Sequence, residues 1–163
     1  QIAQRLQITL DKLNTKPPIG EAATSATQWW QGLQQRFSHE RIEFSSDALR
    51  QDRTLPSDLF ESTAENLLQN ALEKRKVASA LRIVASLQWR DGFILSVCDD
   101  GDSIPDTRVA HLFAGPVASS AGLGVGLYQV ARFAREQGFE VSLSSNVPGK
   151  VCFTLAPAKP PGA

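Results

Sequence analysis

Apolar positions in this chain switch between a spacing of three to four and strict alternation, and the switches mark out its elements. Ile2, Leu6, Leu10 and Leu13 stand at helical spacing, and Thr15-Lys16-Pro17-Pro18-Ile19-Gly20 then breaks any helix. A second helical pattern runs from about Ser25 to Phe37, with Trp29, Trp30, Leu33 and Phe37 on one side as packing residues. Arg41-Ile42-Glu43-Phe44 alternates and predicts a short strand. Pro56 opens the next helix, whose face is Leu59, Phe60, Ala64, Leu67, Leu68, Ala71 and Leu72. The basic run Lys74-Arg75-Lys76 suits its C-terminus. Leu81 to Trp89 alternates, Asp91-Gly92 signals a hairpin turn, and Phe93 to Val97 returns as the partner strand. Pro105 to Phe113 has room for one helical turn or two. Val125 to Gln137 is helical, with Leu127, Val130, Ala131 and Ala134 inward and Gly138 as C-cap. Glu140 to Ser144 and Val151 to Leu155 form a last hairpin around Pro148-Gly149. Hairpins separated by helices that must cover one face predict an α+β sandwich.

Composition narrows the functional classes. Lys plus Arg and Asp plus Glu both total 17 in 163 residues, which removes the electrostatic case for nucleic acid or an anionic membrane surface as partner. No apolar run approaches the roughly 18 residues of a membrane-spanning helix. Cys98 and Cys152 sit in strand patterns, and two cysteines are too few for a disulfide framework or a metal site. They are expected as free, buried thiols in a reducing cytoplasm.

Three stretches can carry chemistry. In Glu65-Asn66-Leu67-Leu68-Gln69-Asn70-Ala71 the two asparagines are four apart and share a helix face. Asn is a poor residue for a helix interior, so the pair either faces solvent or meets polar partners such as hydrated Mg²⁺ and phosphate oxygens. Asp99 ends an apolar strand in Asp99-Asp100-Gly101-Asp102-Ser103-Ile104-Pro105. Its carboxylate is satisfied either by amides of its own turn or by an amino group such as that of adenine. Asp100 and Asp102 are expected to be solvated. Gly122-Leu123-Gly124-Val125-Gly126-Leu127 reads as a glycine loop running into a helix, where backbone amides and the helix start favour phosphate. The small-residue segment between the last two stretches, residues 112–121, reads as a lid, and residues 106–121 are expected to be mobile without nucleotide.

In this order the motifs resemble the GHKL ATPase superfamily, which unites sensor histidine kinases, type II topoisomerase ATPase subunits, the Hsp90 chaperone and mismatch-repair ATPases. The similarity is greatest to the catalytic ATP-binding domain of a bacterial sensor histidine kinase. Glu65 to Ala71 matches its N box, Asp99 to Pro105 its first glycine box, Leu112-Phe113 its F box, and Gly122 to Leu127 its second glycine box. The resemblance spans residues 41–155. It implies a Bergerat-type two-layer α/β sandwich, a mixed sheet covered by helices on one face. It also implies ATP and Mg²⁺ as ligands, with Asn70 on the metal and Asn66 near the phosphates. Asp99 would read the adenine amino group, Gly101, Gly122, Gly124 and Gly126 would line the lid and phosphate path, and Ser103, Ile104, Leu123, Val125 and Leu127 would also bind the nucleotide. Lys74, one turn past Asn70, either meets a phosphate oxygen or is an ordinary helix-end lysine. On this reading residues 1–20 end a helical dimerisation segment or linker, residues 21–157 are the catalytic domain, and 158–163 form a flexible tail.

Several positions depart from the pattern. Ser103 replaces a glycine of the first box, Glu73 stands where a basic residue is usual, and Ser119-Ser120 leave the lid uncharged. The family phosphorylates a histidine in H-E-[FL]-x-x-P, but after His39-Glu40 this chain has Phe44 in place of Pro, and His111 lies in the lid segment. The implied activity is therefore transfer of the ATP γ-phosphoryl group to a histidine on a dimerisation domain outside this chain, with a response regulator engaged indirectly. The alternative is a non-catalytic nucleotide-binding or protein-interaction module of the same fold. No residue stands out as a general base; Glu65 adjoins Asn66 but projects about 100° away round the helix.

Overall fold

The computed structural model describes residues 23–114 and 123–159. The expected helix at residues 2–13, Gly122, most of the lid, and residues 160–163 of the tail lie outside them. In chain order the elements are β1 (Ala23–Ser25), α1 (Ala26–Arg36), β2 (Ile42–Ser46), β3 (Thr54–Pro56), α2 (Ser57–Val77), β4 (Ile83–Trp89) and β5 (Phe93–Asp99). They continue with α3 (Asp106–Val109), α4 (Leu123–Glu136), β6 (Phe139–Val147) and β7 (Lys150–Pro157).

The main sheet runs β2-β4-β5-β7-β6 and is mixed, as the α+β sandwich requires. Strand β2 lies parallel to β4, which obliges the chain to cross over through β3 and α2; the other neighbours are antiparallel. Alternation sets the covered face: Ile83, Ala85 and Leu87 of β4 and Phe93, Leu95 and Val97 of β5 are buried, while the residues between them are half-buried. Helix α2 packs against β5, β7 and α4, and α4 packs against β6. Aromatic rings knit α1 onto this layer. Trp29 meets Phe60 edge-on at 5.8 Å, and Phe60 in turn meets Phe139 at 5.5 Å. Leu127, Val130, Ala131 and Ala134 of α4 are all buried, and Gly138 follows at φ 81° as the expected C-cap. The hairpin turns fall at Asp91-Gly92 and beside Gly149, each with positive φ.

Three expectations are corrected. The pair β1–β3, with Thr24 opposite Leu55, forms a second small sheet that three-residue strands could not announce. Cys98 and Cys152 are not free thiols: they face each other across β5 and β7, Cα atoms 4.1 Å apart, joined by a disulfide. Their separation of 54 residues hid a pairing that only strand register creates. Helix α4 begins at Leu123 rather than Val125, so Gly124 and Gly126 are helical residues and not part of a loop.

Candidate functional site

Helix α2 carries a polar stripe inside its apolar face. Thr63, Asn66, Asn70 and Lys74 follow one another at steps of three, four and four, which stacks them along one line of the helix. Thr63 Oγ1, Asn66 Oδ1 and Asn70 Nδ2 are buried atoms with no hydrogen-bond partner. Unpaired buried polar atoms are costly, and native structures hold few. Three on one stripe set this face of α2 apart from an ordinary apolar core.

The stripe runs toward the end of β5, a central strand. Asp99 is buried there, paired in register with Ile83 of β4 and Val151 of β7. Lys74 Nζ lies 2.9 Å from Asp99 Oδ1 and 2.9 Å from the carbonyl oxygen of Asp102. The Gly101 amide donates to the same Oδ1 at 2.9 Å. Turn amide and lysine thus share one oxygen, which realises the turn-amide alternative for Oδ1. Gly101 is required here by space rather than by φ: a Cβ would stand 2.7 Å from Leu81 Cδ1 and 2.9 Å from Lys74 Cε.

The turn after Asp99 is held on two sides. The Arg82 amide donates to Asp100 Oδ1 at 2.8 Å, so Asp100, though exposed, is a tied residue and not a merely solvated one. The Gly149 amide donates to Gly101 O, and the Asn146 side chain both accepts from the Ile104 amide at 2.7 Å and donates to Ile104 O at 2.9 Å. This two-way clasp escaped the sequence reading, because nothing in the hairpin pattern of β6 distinguishes Asn146 from a solvated residue. Ser103 carries no strain: among the described residues Asp91 is the one non-glycine with positive φ.

Across the stripe, α4 brings Gly126 against Asn66. A Cβ on Gly126 would fall 2.3 Å from Asn66 Nδ2, so glycine is what lets the helix backbone approach the amide. Leu123, Gly124 and Val125 form the start of the same helix, and Leu127 is 1% exposed, a core residue rather than a site lining. Leu112 is buried and Phe113 packs toward Phe153, with ring centroids 6.4 Å apart. Both predicted asparagines, Lys74, Asp99, Gly101 and Gly126 therefore come together. Thr63 continues the stripe one turn earlier, 0% exposed and so within the core. No cluster of three His, Cys, Asp or Glu is placed to hold a metal among the described residues.

A mixed five-strand sheet under helices, with the α2 polar stripe running to the end of its central strand, is an α+β sandwich of the GHKL type. A family model described as histidine kinase-, DNA gyrase B-, and HSP90-like ATPase matches residues 56–161, and the chain belongs to that family. Among solved structures it is similar to the nucleotide-free catalytic domain of histidine kinase ThkA, at 19% identity and a TM-score of 0.62, covering 85% of this chain and 99% of that one. The mycobacterial sensor histidine kinase MprB is similar at 21% identity and a TM-score of 0.57, over 85% of this chain and 99% of that one. Full-length ShkA in complex with AMPPNP matches at 19% identity and a TM-score of 0.61, over 89% of this chain and 34% of that one. No curated protein matches the sequence.

Proposed function

We propose that residues 21–157 are the ATP-binding catalytic domain of a sensor histidine kinase. The observation that carries this reading is the α2 stripe, whose unpartnered Asn66 and Asn70 atoms lie between Gly126 on one side and the Lys74–Asp99 pair on the other. Asp99 Oδ2 would accept from the adenine amino group, and Asn66 would face the phosphates beside the α4 backbone. Mg²⁺ takes oxygen ligands and keeps several waters; Asn70 buries its Nδ2 on the stripe, so it would hold the ion through Oδ1 with its amide turned over. When bound, the ion supplies charge neutralisation at the phosphate oxygens.

Phosphoryl transfer asks a protein mainly for positioning and charge stabilisation. Here α2 and the clasped turn after Asp99 fix the nucleotide at both ends. The γ-phosphorus then faces an imidazole nitrogen of a dimerisation helix outside this chain; the N–P bond forms as the bond to the β-phosphate oxygen breaks, and ADP leaves. Two solved relatives support the partners. ShkA is described with AMPPNP, and ThkA with response regulator TrrA, the latter at 16% identity and a TM-score of 0.63, over 99% of this chain and 49% of that one. No helix among the described residues is long and apolar enough to cross a membrane, and a cytoplasmic location follows from the need for ATP.

The test is phosphotransfer from γ-labelled ATP to a fragment of the parent protein carrying its acceptor histidine. Acid-labile, base-stable label on that histidine is expected. Nucleotide binding with no transfer to any parent fragment would instead establish the non-catalytic module.

A further inference from the structure

We infer that Asn146 is a positioning residue of the nucleotide site, aimed by a bulge in β6 at the turn that follows Asp99. This rests on the nucleotide site proposed above. Asn146 stands opposite Val151 of β7, and Val151 stands opposite Asp99 of β5, so the three form one row across the sheet. Residues in one cross-strand row share a face. Here it is the helix-covered face, on which Val151 is 1% exposed and Asp99 meets Lys74 of α2. Asn146 reaches that face only because β6 carries one extra residue. Leu143 is opposite Phe153 but Ser145 is opposite Cys152, which leaves Ser144 over. Without that slip Ser145 would stand opposite Val151, and Asn146 would turn to the other face.

The amide of Asn146 then does what a neighbouring strand would do. Its Oδ1 accepts from the Ile104 amide at 2.7 Å, and its Nδ2 donates to Ile104 O at 2.9 Å. Exchanging both backbone bonds with one residue is the pattern of an antiparallel pair, supplied here by a side chain. It needs a donor and an acceptor side by side, which an Asn amide has and a carboxylate lacks. Ile104 is half-buried against the core, and Pro105 after it has no N–H to pair. Asn146 therefore holds the far limb of the turn. The near limb is wired to the Asp99 carboxylate twice. The Gly101 amide donates to Oδ1, and Asp102 O, two residues before Ile104, accepts from the same Lys74 ammonium that bonds Oδ1. A shift at Ile104 is passed to both partners of Asp99, so Asn146 acts through the turn without touching the nucleotide.

The experiment is calorimetric titration of the whole chain with ADP and Mg²⁺ for wild type, Asn146→Ala, Asn146→Asp and Ser145→Ala. Thermal unfolding establishes which variants are folded, and amide hydrogen exchange reads the Ile104 N–H. Ala removes both bonds to Ile104 and should release that N–H to exchange. Asp fills the same space but sets a carboxylate oxygen against Ile104 O, acceptor against acceptor. Each Asn146 variant should bind ADP about tenfold more weakly, the scale of one or two lost hydrogen bonds. Ser145→Ala removes a different hydrogen bond of the same hairpin, from Ser145 Oγ to Lys150 O at 3.0 Å, and should bind ADP as wild type does. If Asn146→Ala does not fold, Asn146→Asp decides. Wild-type affinity in a folded Asn146 variant, an equal loss in Ser145→Ala, or failure of both Asn146 variants to fold overturns the inference and leaves the nucleotide site standing. No binding of ADP by wild type overturns the functional reading and this inference with it.

Discussion

Gly126 and Thr63 separate what serves the fold from what serves the ligand. Gly126 lies within α4, where alanine is favoured over glycine by about 1 kcal/mol. The three atoms nearest the Cβ that Gly126→Ala introduces all belong to the Asn66 amide. The expected result is a melting temperature unchanged or raised, with nucleotide affinity down tenfold or more because the amide is pushed out of line; thermal unfolding and titration on one preparation check both. Thr63 is 0% exposed with its hydroxyl unpartnered. Thr63→Val keeps the branched shape and removes that unpaired group, so the nucleotide-free protein should gain about 1 kcal/mol in denaturant unfolding. Both asparagines and Asp99 were legible in the sequence because polar residues in apolar surroundings need partners. That Lys74 turns inward was not, since the acceptors it meets belong to a strand end 25 residues further on.

At the scale of elements, the hairpins were readable from their turn residues, the α2 ends from Pro56 and the basic run, and β4 from its alternation to within two residues of its start. The β1–β3 pair and the disulfide were not, because both exist only through contacts between segments distant in sequence. The α4 start was misplaced because glycine argues locally against a helix, while burial of Leu127 and the approach of Gly126 to Asn66 override that preference. The Cys98–Cys152 bond ties β5, one residue before Asp99, to the hairpin that holds Gly101 and Ile104. Reduction is expected to cost about 2–4 kcal/mol, read as a lower melting temperature in dithiothreitol, with thiol counting to show the bond opened. A second clasp joins the end of β2 to the β4–β5 hairpin through Asp47 and Arg90, 2.9 Å apart. The Arg90 hydrogen bond is the main cause holding the Asp47 carboxyl below its usual value, aided by the Trp89 amide and opposed by desolvation. Because the folded value is depressed, this contribution is present above the ordinary aspartate range and is lost as pH falls through the folded value. Carboxyl NMR should show Asp47 titrating below ordinary aspartates, and Arg90→Ala should move it up toward them.

Taken whole, the molecule is a sandwich whose apolar layer fixes one polar line. The core of α2, α4 and the sheet is ordinary, and interrupting it along Thr63, Asn66 and Asn70 leaves unpaired groups that the fold alone does not reward. The order of motifs in the sequence was enough to indicate the family: the N box lies mid-helix in α2, and the glycine boxes fall at the end of β5 and the start of α4. The most direct measurement is titration with a non-hydrolysable ATP analogue, with and without Mg²⁺, on wild type and Asn70→Ala. The account predicts that Mg²⁺ tightens wild-type binding at least tenfold and leaves the Asn70→Ala protein, still folded, without that gain. An equal response to Mg²⁺ in the two proteins would contradict it.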